Sequence, residues 1–272
     1  IIDMNVYSLY PSYENLFSYA AENNIEVIFD KQYIKDIYSN SMFSLTTPNS
    51  VFPQVNSFVP TKQAVDAYQA TNGKDISDPT SGFDPKSPYT NRDPRLKYTI
   101  YVMGATLPNG QIYDPRPESG TGDAIGNSEN STSTGFNTRK YLNKEDMQQP
   151  GNGGINLILM RYAEILLIYA EAKIEANELD QSVLDAINKV RARPDVAMPP
   201  IEVLSSQEEL RKMVRNERLV ELAFEGLRYF DIRRWKIAEN TVPGILYGMT
   251  YVDNQGNLKT ITTPAFVKVF NK

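Results

Sequence analysis

Between Ser205 and Asn240 the apolar positions recur at helical spacing. Leu210, Met213, Val214, Val220 and Phe224 trace one face, with Glu217 and Glu221 set into it. Ser205-x-x-Glu208 and Ser206-x-x-Glu209 both read as capping boxes, in which a hydroxyl and a carboxylate satisfy orphan N–H groups of the first turn. Gly226 is where this helix should end or bend. A second run follows, with Leu227, Phe230 and Ile237 at roughly helical spacing among Arg228, Asp231, Arg233, Arg234 and Trp235.

Upstream, Ile155 to Ala176 reads as one long helix. Ile158, Tyr162, Ile165, Tyr169 and Ala172 form a face that Leu159, Leu166 and Ala170 widen, so burial on more than one side is expected. Asp180 caps a second helix, Ser182 to Arg193, with Val183, Ile187 and Val190 as its stripe and Pro194 as its stop. Two antiparallel helices with a short link resemble one tetratricopeptide-type pair. No other self-similarity occurs at the roughly 34-residue period of such repeats.

The rest of the chain is more irregular. Ile1 to Asn24 is a partly helical lead-in, and Glu26 to Asp30 is β-branched and aromatic enough for a short strand. Gln32 to Tyr38 fits strand or helix equally. Ser39 to Pro60 reads as a long loop carrying Phe43, Phe52 and Phe58, and Thr61 to Thr71 as a short helix ended by Asn72-Gly73. Lys74 to Arg95 holds three Asp-Pro pairs that mark successive turns. Leu96 to Met103 alternates like a strand, and Leu107 to Tyr113 should return beside it through Pro108-Asn109-Gly110. Asp114 to Thr138 is Gly-, Ser- and Asn-rich. Its Gly120–Gly126 run lacks both the spacing and the strand-to-helix context of a phosphate loop, so it reads as surface. Met249–Val252 and Leu258–Thr262 flank Asp253 to Asn257 as a hairpin.

Composition narrows the chemistry. The 272 residues contain no histidine and no cysteine, which removes imidazole triads, zinc sites, thiol nucleophiles and disulfides. No cofactor and no metal are expected. A formal net charge of −5 offers no footprint for nucleic acid. The N-terminus has no charged-then-apolar export signal, and the apolar run at 155–169 is too short and too charged to span a bilayer.

What remains is a dense set of charges. Glu217, Glu221 and Glu225 fall at i, i+4, i+8 and repel unless cations lie between them. Arg218, Arg228, Arg233 and Arg234 are the nearest partners in sequence, and arginine grips carboxylates bidentately. This reads as an ion-pair network pinning two helices. The competing reading is a glycoside hydrolase built on paired glutamates, although such an enzyme needs carboxylates facing across a cleft. A third is a helical-repeat module that binds protein partners.

The runs NERLVELAFEGLRYFDIRRW (Asn216 to Trp235), MRYAEILLIYAEAKIEAN (Met160 to Asn177), INKVRAR (Ile187 to Arg193) and NRDPRL (Asn91 to Leu96) together resemble the SusD-like (RagB/SusD) family. The resemblance implies a mainly α fold with irregular loops and short β-hairpins, in which tetratricopeptide-type helices pack against a loop-rich ligand-binding region. It marks Glu217, Arg218, Glu221, Glu225, Gly226, Arg228, Asp231, Arg234 and Trp235 as a structural signature, and the helical frame around Trp235 makes that residue an expected core position. It also implies a surface protein, lipid-anchored at the outer membrane, that binds glycan or another nutrient without catalysis and passes it to a SusC-like TonB-dependent transporter. Residues 1–272 are then one domain, with a loop-rich insert at 39–154 and a helical scaffold at 155–240. Such a chain is a fragment lacking the signal peptide, the N-terminal helical half and the extreme C-terminus.

Residues 1–113 hold 11 of the 17 tyrosines and 6 of the 11 phenylalanines. Sugar rings stack their C–H faces on aromatic planes, while Asn, Asp and Arg take the hydroxyls. Tyr68, Phe83, Tyr89, Asn91 and Arg92 are therefore the candidate ligand platform.

Overall fold

The computed structural model describes residues 1–54, 58–128 and 130–268, with backbone alone for 263–268. The helices are α1 (Met42–Thr46), α2 (Lys62–Asp66), α3 (Arg95–Thr99), α4 (Tyr162–Glu175), α5 (Gln181–Arg191), α6 (Gln207–Glu221), α7 (Arg228–Arg234) and α8 (Ala238–Thr241). The strands are β1 (Val27–Lys31), β2 (Ile100–Tyr101), β3 (Asn137–Thr138), β4 (Leu157–Arg161), β5 (Gly244–Val252) and β6 (Leu258–Lys268). They form three separate antiparallel pairs, β1 with β4, β2 with β3, and β5 with β6. The architecture is mainly helical, with long irregular connections.

Helices α4, α5 and α6 enclose one core. Leu166, Ala170 and Ile174 of α4 meet Val183, Ile187 and Val190 of α5 and Leu210 and Val214 of α6, all essentially inaccessible to water. The amphipathic period of α5 and α6 places these stripes, and burial of each large aliphatic side chain contributes roughly 1.5–3 kcal/mol. The Asp180 carboxylate accepts from the Ser182 N–H and starts α5. Of the two capping boxes, Ser206 with Glu209 is the one formed, and it starts α6. A second core joins Val65 and Tyr68 beside α2 to Leu96, Phe136, Val220, Met249 and Tyr251, which seats the β5–β6 hairpin. A third packs Tyr13, Leu16 and Phe17 against Tyr141, Ile158 and Met198.

Several elements differ from the sequence reading. The expected long helix begins only at Tyr162, because Leu157–Arg161 pairs with Val27–Lys31 as β4. Its buried stripe is also rotated, since Tyr169 is 36% exposed and Ala172 faces solvent. The first half of the expected strand at Leu96–Met103 is helix α3. The Asp93 carboxylate accepts from the Arg95 N–H and Pro94 sits at its start, so Asp-Pro initiates a helix here. β2 keeps only two residues and pairs with β3, while the Leu107–Gln111 turn closes on its own flank at Gly104–Thr106. α1 breaks the expected loop at 39–60, of which 55–57 lie outside the described residues. The β5–β6 hairpin forms as expected, with Val252 opposite Leu258.

Candidate functional site

Each of the sequence runs quoted above delivers a charged side chain to the same buried point. Arg95 comes from α3, Arg161 from the β4–α4 junction, Arg191 and Arg193 from the end of α5, and Glu217 and Glu221 from α6. Glu26, just before β1, and Lys140, after β3, complete the set. Arg161 Nη1 donates to Glu26 and Glu221, both at 2.8 Å, while its Nε and Nη2 clasp Glu225 at 2.7 and 2.8 Å. Arg193 spans the same two glutamates at 2.7 and 2.9 Å. Arg95 Nη1 reaches Glu217 at 2.6 Å and Glu221 at 2.8 Å, with Asp93 on its other edge. Arg191 takes the far oxygen of Glu217 at 2.9 Å.

Five carboxylates thus face five cations, none more than 6% exposed at the side chain. Burial pushes the Glu221 carboxyl up, but Arg161, Arg193 and Arg95 pull it further down, well below the usual carboxylate range. Burial likewise opposes Glu225, and Arg161 and Lys140 overcome it to leave a lowered pKa. Lys140 is pushed down to about 8 because burial outweighs Glu225. The charged groups of the cluster are paired and sealed from water, and among the described residues Arg193 Nε is the one buried polar side-chain atom of the set without a hydrogen-bond partner.

The partners differ from those nearest in sequence. Glu225 lies beyond the end of α6, in a turn with Phe224 at φ 62° and Gly226 at φ 84°, and still joins Arg161. Arg218 and Arg234 instead hold Asp231, and Arg234 also grips Glu171. Among the described residues Arg233 donates to the Tyr229 hydroxyl and lies over its ring, and Arg228 has no carboxylate partner. Trp235 is half-buried rather than core. Its Nε1 donates to Glu171, and the Arg215 and Arg234 guanidinium groups lie 4.7 and 4.9 Å from its ring centre.

The loop candidates divide by accessibility. Tyr68 is 1% exposed and belongs to the second core, so its ring is no platform for stacking. The Arg92 guanidinium is spent on the carbonyls of Val65, Tyr68 and Pro88, with its flat side 5.6 Å from the Phe83 ring. It braces the loop from beneath. Phe83 and Tyr89 are half-buried and Asn91 is exposed in the left-handed region, φ 54°. Tyr89 and Arg92 line two concavities. One, of about 290 Å³, is lined by Tyr89, Asn91, Thr71 and Lys97, and the other, of about 80 Å³, by Phe83, Tyr89, Lys62 and Asp66.

A further trough of about 290 Å³ lies between the N-terminal segment and the turns at 98–108 and 139–145. Phe17, Tyr98, Arg139 and Asn143 line it, and Arg139 pairs with Glu14 at 2.6 Å on its rim. Sequence reasoning missed this surface, because its walls come from three distant segments with no shared motif.

The sequence profile of the SusD family matches residues 25–265. SusD-like protein P2 of Formosa agariphila is 40% identical over 96 residues, which is 32% of this chain and 19% of the relative. SusD-like protein P38 of the same organism is 31% identical over 109 residues, 37% of this chain and 21% of the relative. The fold superposes on a SusD-like carbohydrate binding protein from Bacteroides fragilis with a TM-score of 0.85 and 30% identity, over 98% of this chain and 55% of that one. A second SusD-like protein from Bacteroides fragilis gives 0.77 and 27%, over 97% and 54%. The chain spans about half the length of these solved relatives. The profile spans all four of the distant runs that the ion cluster joins, and the chain belongs to the SusD family.

Proposed function

We propose that this chain contributes the glycan-capturing part of a non-catalytic surface receptor, which hands oligo- or polysaccharide to a SusC-like TonB-dependent transporter. The observation that carries the reading is the state of the acidic cluster. Glu217, Glu221 and Glu225 are buried and neutralised by cations, whereas a glycosidase needs two carboxylates open to a cleft. Open concavities instead present rings beside amides and hydroxyls. Phe83, Tyr89 and Asn91 are the stacking and hydrogen-bonding groups of this site, with Tyr68 and Arg92 as its support. The carbohydrate binding ascribed to the relative from Bacteroides fragilis supports the same ligand class. Anchoring at the outer face of the outer membrane, through a lipid outside these residues, belongs to this proposal, as does an N-terminal helical half that completes the domain. No described helix is long and apolar enough to cross a membrane.

The test is a panel of oligosaccharides followed by calorimetry and by assay of new reducing ends. Binding heat without reducing-end release, weakened about tenfold in Tyr89→Ala or Asn91→Ala, is the expected result. Release that disappears in Glu217→Gln or Glu221→Gln would overturn it.

A further inference from the structure

Where α6 gives way to α7 the chain leaves a cavity of about 330 Å³, at the low end of the roughly 300–1,000 Å³ typical of small-ligand pockets. Leu219, Leu222, Phe224 and Leu227 supply apolar walls, and none of its lining residues lines the concavities around Tyr89. Phe224 holds its wall position from a left-handed backbone, φ 62°, which is costly for an aromatic residue and persists only where surroundings impose it. At Gly226, φ 84°, an added Cβ would meet no atom within 4 Å, so the backbone there borders open space.

Two cations, Arg218 and Arg228, line the cavity together with Tyr229 and one carboxylate, Asp231. Arg228 is half-buried and makes no hydrogen bond or ion pair among the described residues. Arg218 is 3% exposed, and its Nη1 is buried without a hydrogen-bond partner although Nε and Nη2 are occupied by Asp231. By contrast, Arg95, Arg161, Arg191, Arg193 and Arg234 each carry a carboxylate, and the buried Arg92 is held by three backbone carbonyls, partners of the kind that a cation removed from water requires. Asp231, the anion beside Arg228, is already shared between Arg218 and Arg234.

We infer that this pocket binds a small apolar monocarboxylate, its hydrocarbon part against Leu219, Leu222, Phe224 and Leu227 and its carboxylate against Arg228. The guanidinium edge suits a bidentate carboxylate, and the apolar walls exclude a strongly hydrated inorganic anion. The charge complement selects the acid over neutral compounds of the same shape. The volume selects a small molecule over a protein segment.

Octanoate and 3-phenylpropanoate, each against its primary amide, are the probes. Affinity is read by calorimetry, and position by chemical-shift changes at residues 219–229. The expected result is that the acids bind at least tenfold more tightly than the amides. Arg228→Gln removes that difference without moving the melting temperature, and Leu219→Trp, which fills the cavity, blocks both. Equal affinity for acid and amide, or acid binding kept in Leu219→Trp, overturns the inference. So does the absence of shifts at 219–229 with every probe. The acid–amide comparison uses the unaltered chain, so a folding defect in either variant leaves the test decisive.

Discussion

Arg161 and Glu221 lie 60 residues apart in the chain and 2.8 Å apart in the fold, with side chains 1% and 0% exposed. Around them the start of α4, the end of α5, the C-terminal turn of α6 and the entry to β1 are tied together. A buried pair of this kind is weak evidence for net stability, because desolvation offsets much of the attraction. Removing one member is a different matter. It strands the remaining charges away from water.

Glu221→Ala should therefore cost about 3–5 kcal/mol, because Arg95, Arg161 and Arg193 all lose a partner. Urea unfolding followed by circular dichroism checks this. A loss under about 1 kcal/mol, the size expected of a solvated surface pair, would mean that water reaches the cluster.

Stability should depend on pH at both ends. Glu221 and Glu225 have folded pKa values below the ordinary 4.5, so their contribution is complete above pH 4.5 and is lost as pH falls through and below it. Lys140 has the opposite sign. Its folded pKa of about 8 lies below the ordinary 10.5, so between these values the unfolded chain holds more protons and stability rises with pH. Buried Tyr13 and Tyr113, with raised pKa values, reverse the slope from about pH 10 upward. Urea midpoints measured from pH 3 to pH 11 test all three limbs, and Lys140→Met should flatten the rise above pH 8.

Glu171→Gln should lower stability by about 1.5–3 kcal/mol, the range for hydrogen bonds to a charged group. Its carboxylate joins Arg234, Arg218 and the Trp235 indole, and so holds α7 to α4. Trp235 is the sole tryptophan, so a red-shifted emission would report the loosened end of α7. Unchanged emission together with unchanged stability would contradict this role.

Gly248→Ala should cost about 1–3 kcal/mol by overpacking. A Cβ there would stand 2.5 Å from the Thr134 carbonyl oxygen and 2.9 Å from Ile261 Cβ. The adjacent Met249 N–H donates to the same carbonyl at 2.7 Å, so the hairpin cannot retreat without losing a hydrogen bond. Thermal unfolding of this variant beside Gly126→Ala, whose added methyl meets nothing, separates crowding from the backbone strain that a positive φ adds at Gly126.

Local signals carried much of the fold. The Ser206–Glu209 box, the Asp180 cap and the turn at Asp253–Asn257 each act within a few residues, so α6, α5 and the β5–β6 hairpin were legible. The apolar run at 157–161 was not, because a short run fits strand or helix until a partner is known. β1 supplied that partner from far upstream. At Leu96–Thr99 the alternating pattern gave way to the helix start provided by Asp93 and Pro94.

The site shows the same division. Aromatic, amide and arginine side chains in the Phe83–Arg92 segment could be read as ligand chemistry. Only packing separated Phe83, Tyr89 and Asn91, which reach a concavity, from Tyr68 in the core and from Arg92, which lines both concavities with its guanidinium already bonded to loop carbonyls. By itself the sequence determined the helical scaffold, the absence of imidazole and thiol chemistry, and the need of Glu217, Glu221 and Glu225 for cations. Which cations answer them was decided by the tertiary structure alone. Helix periodicity places a side chain on a face, but the nearest opposite charge in space comes from whichever distant segment the core brings there.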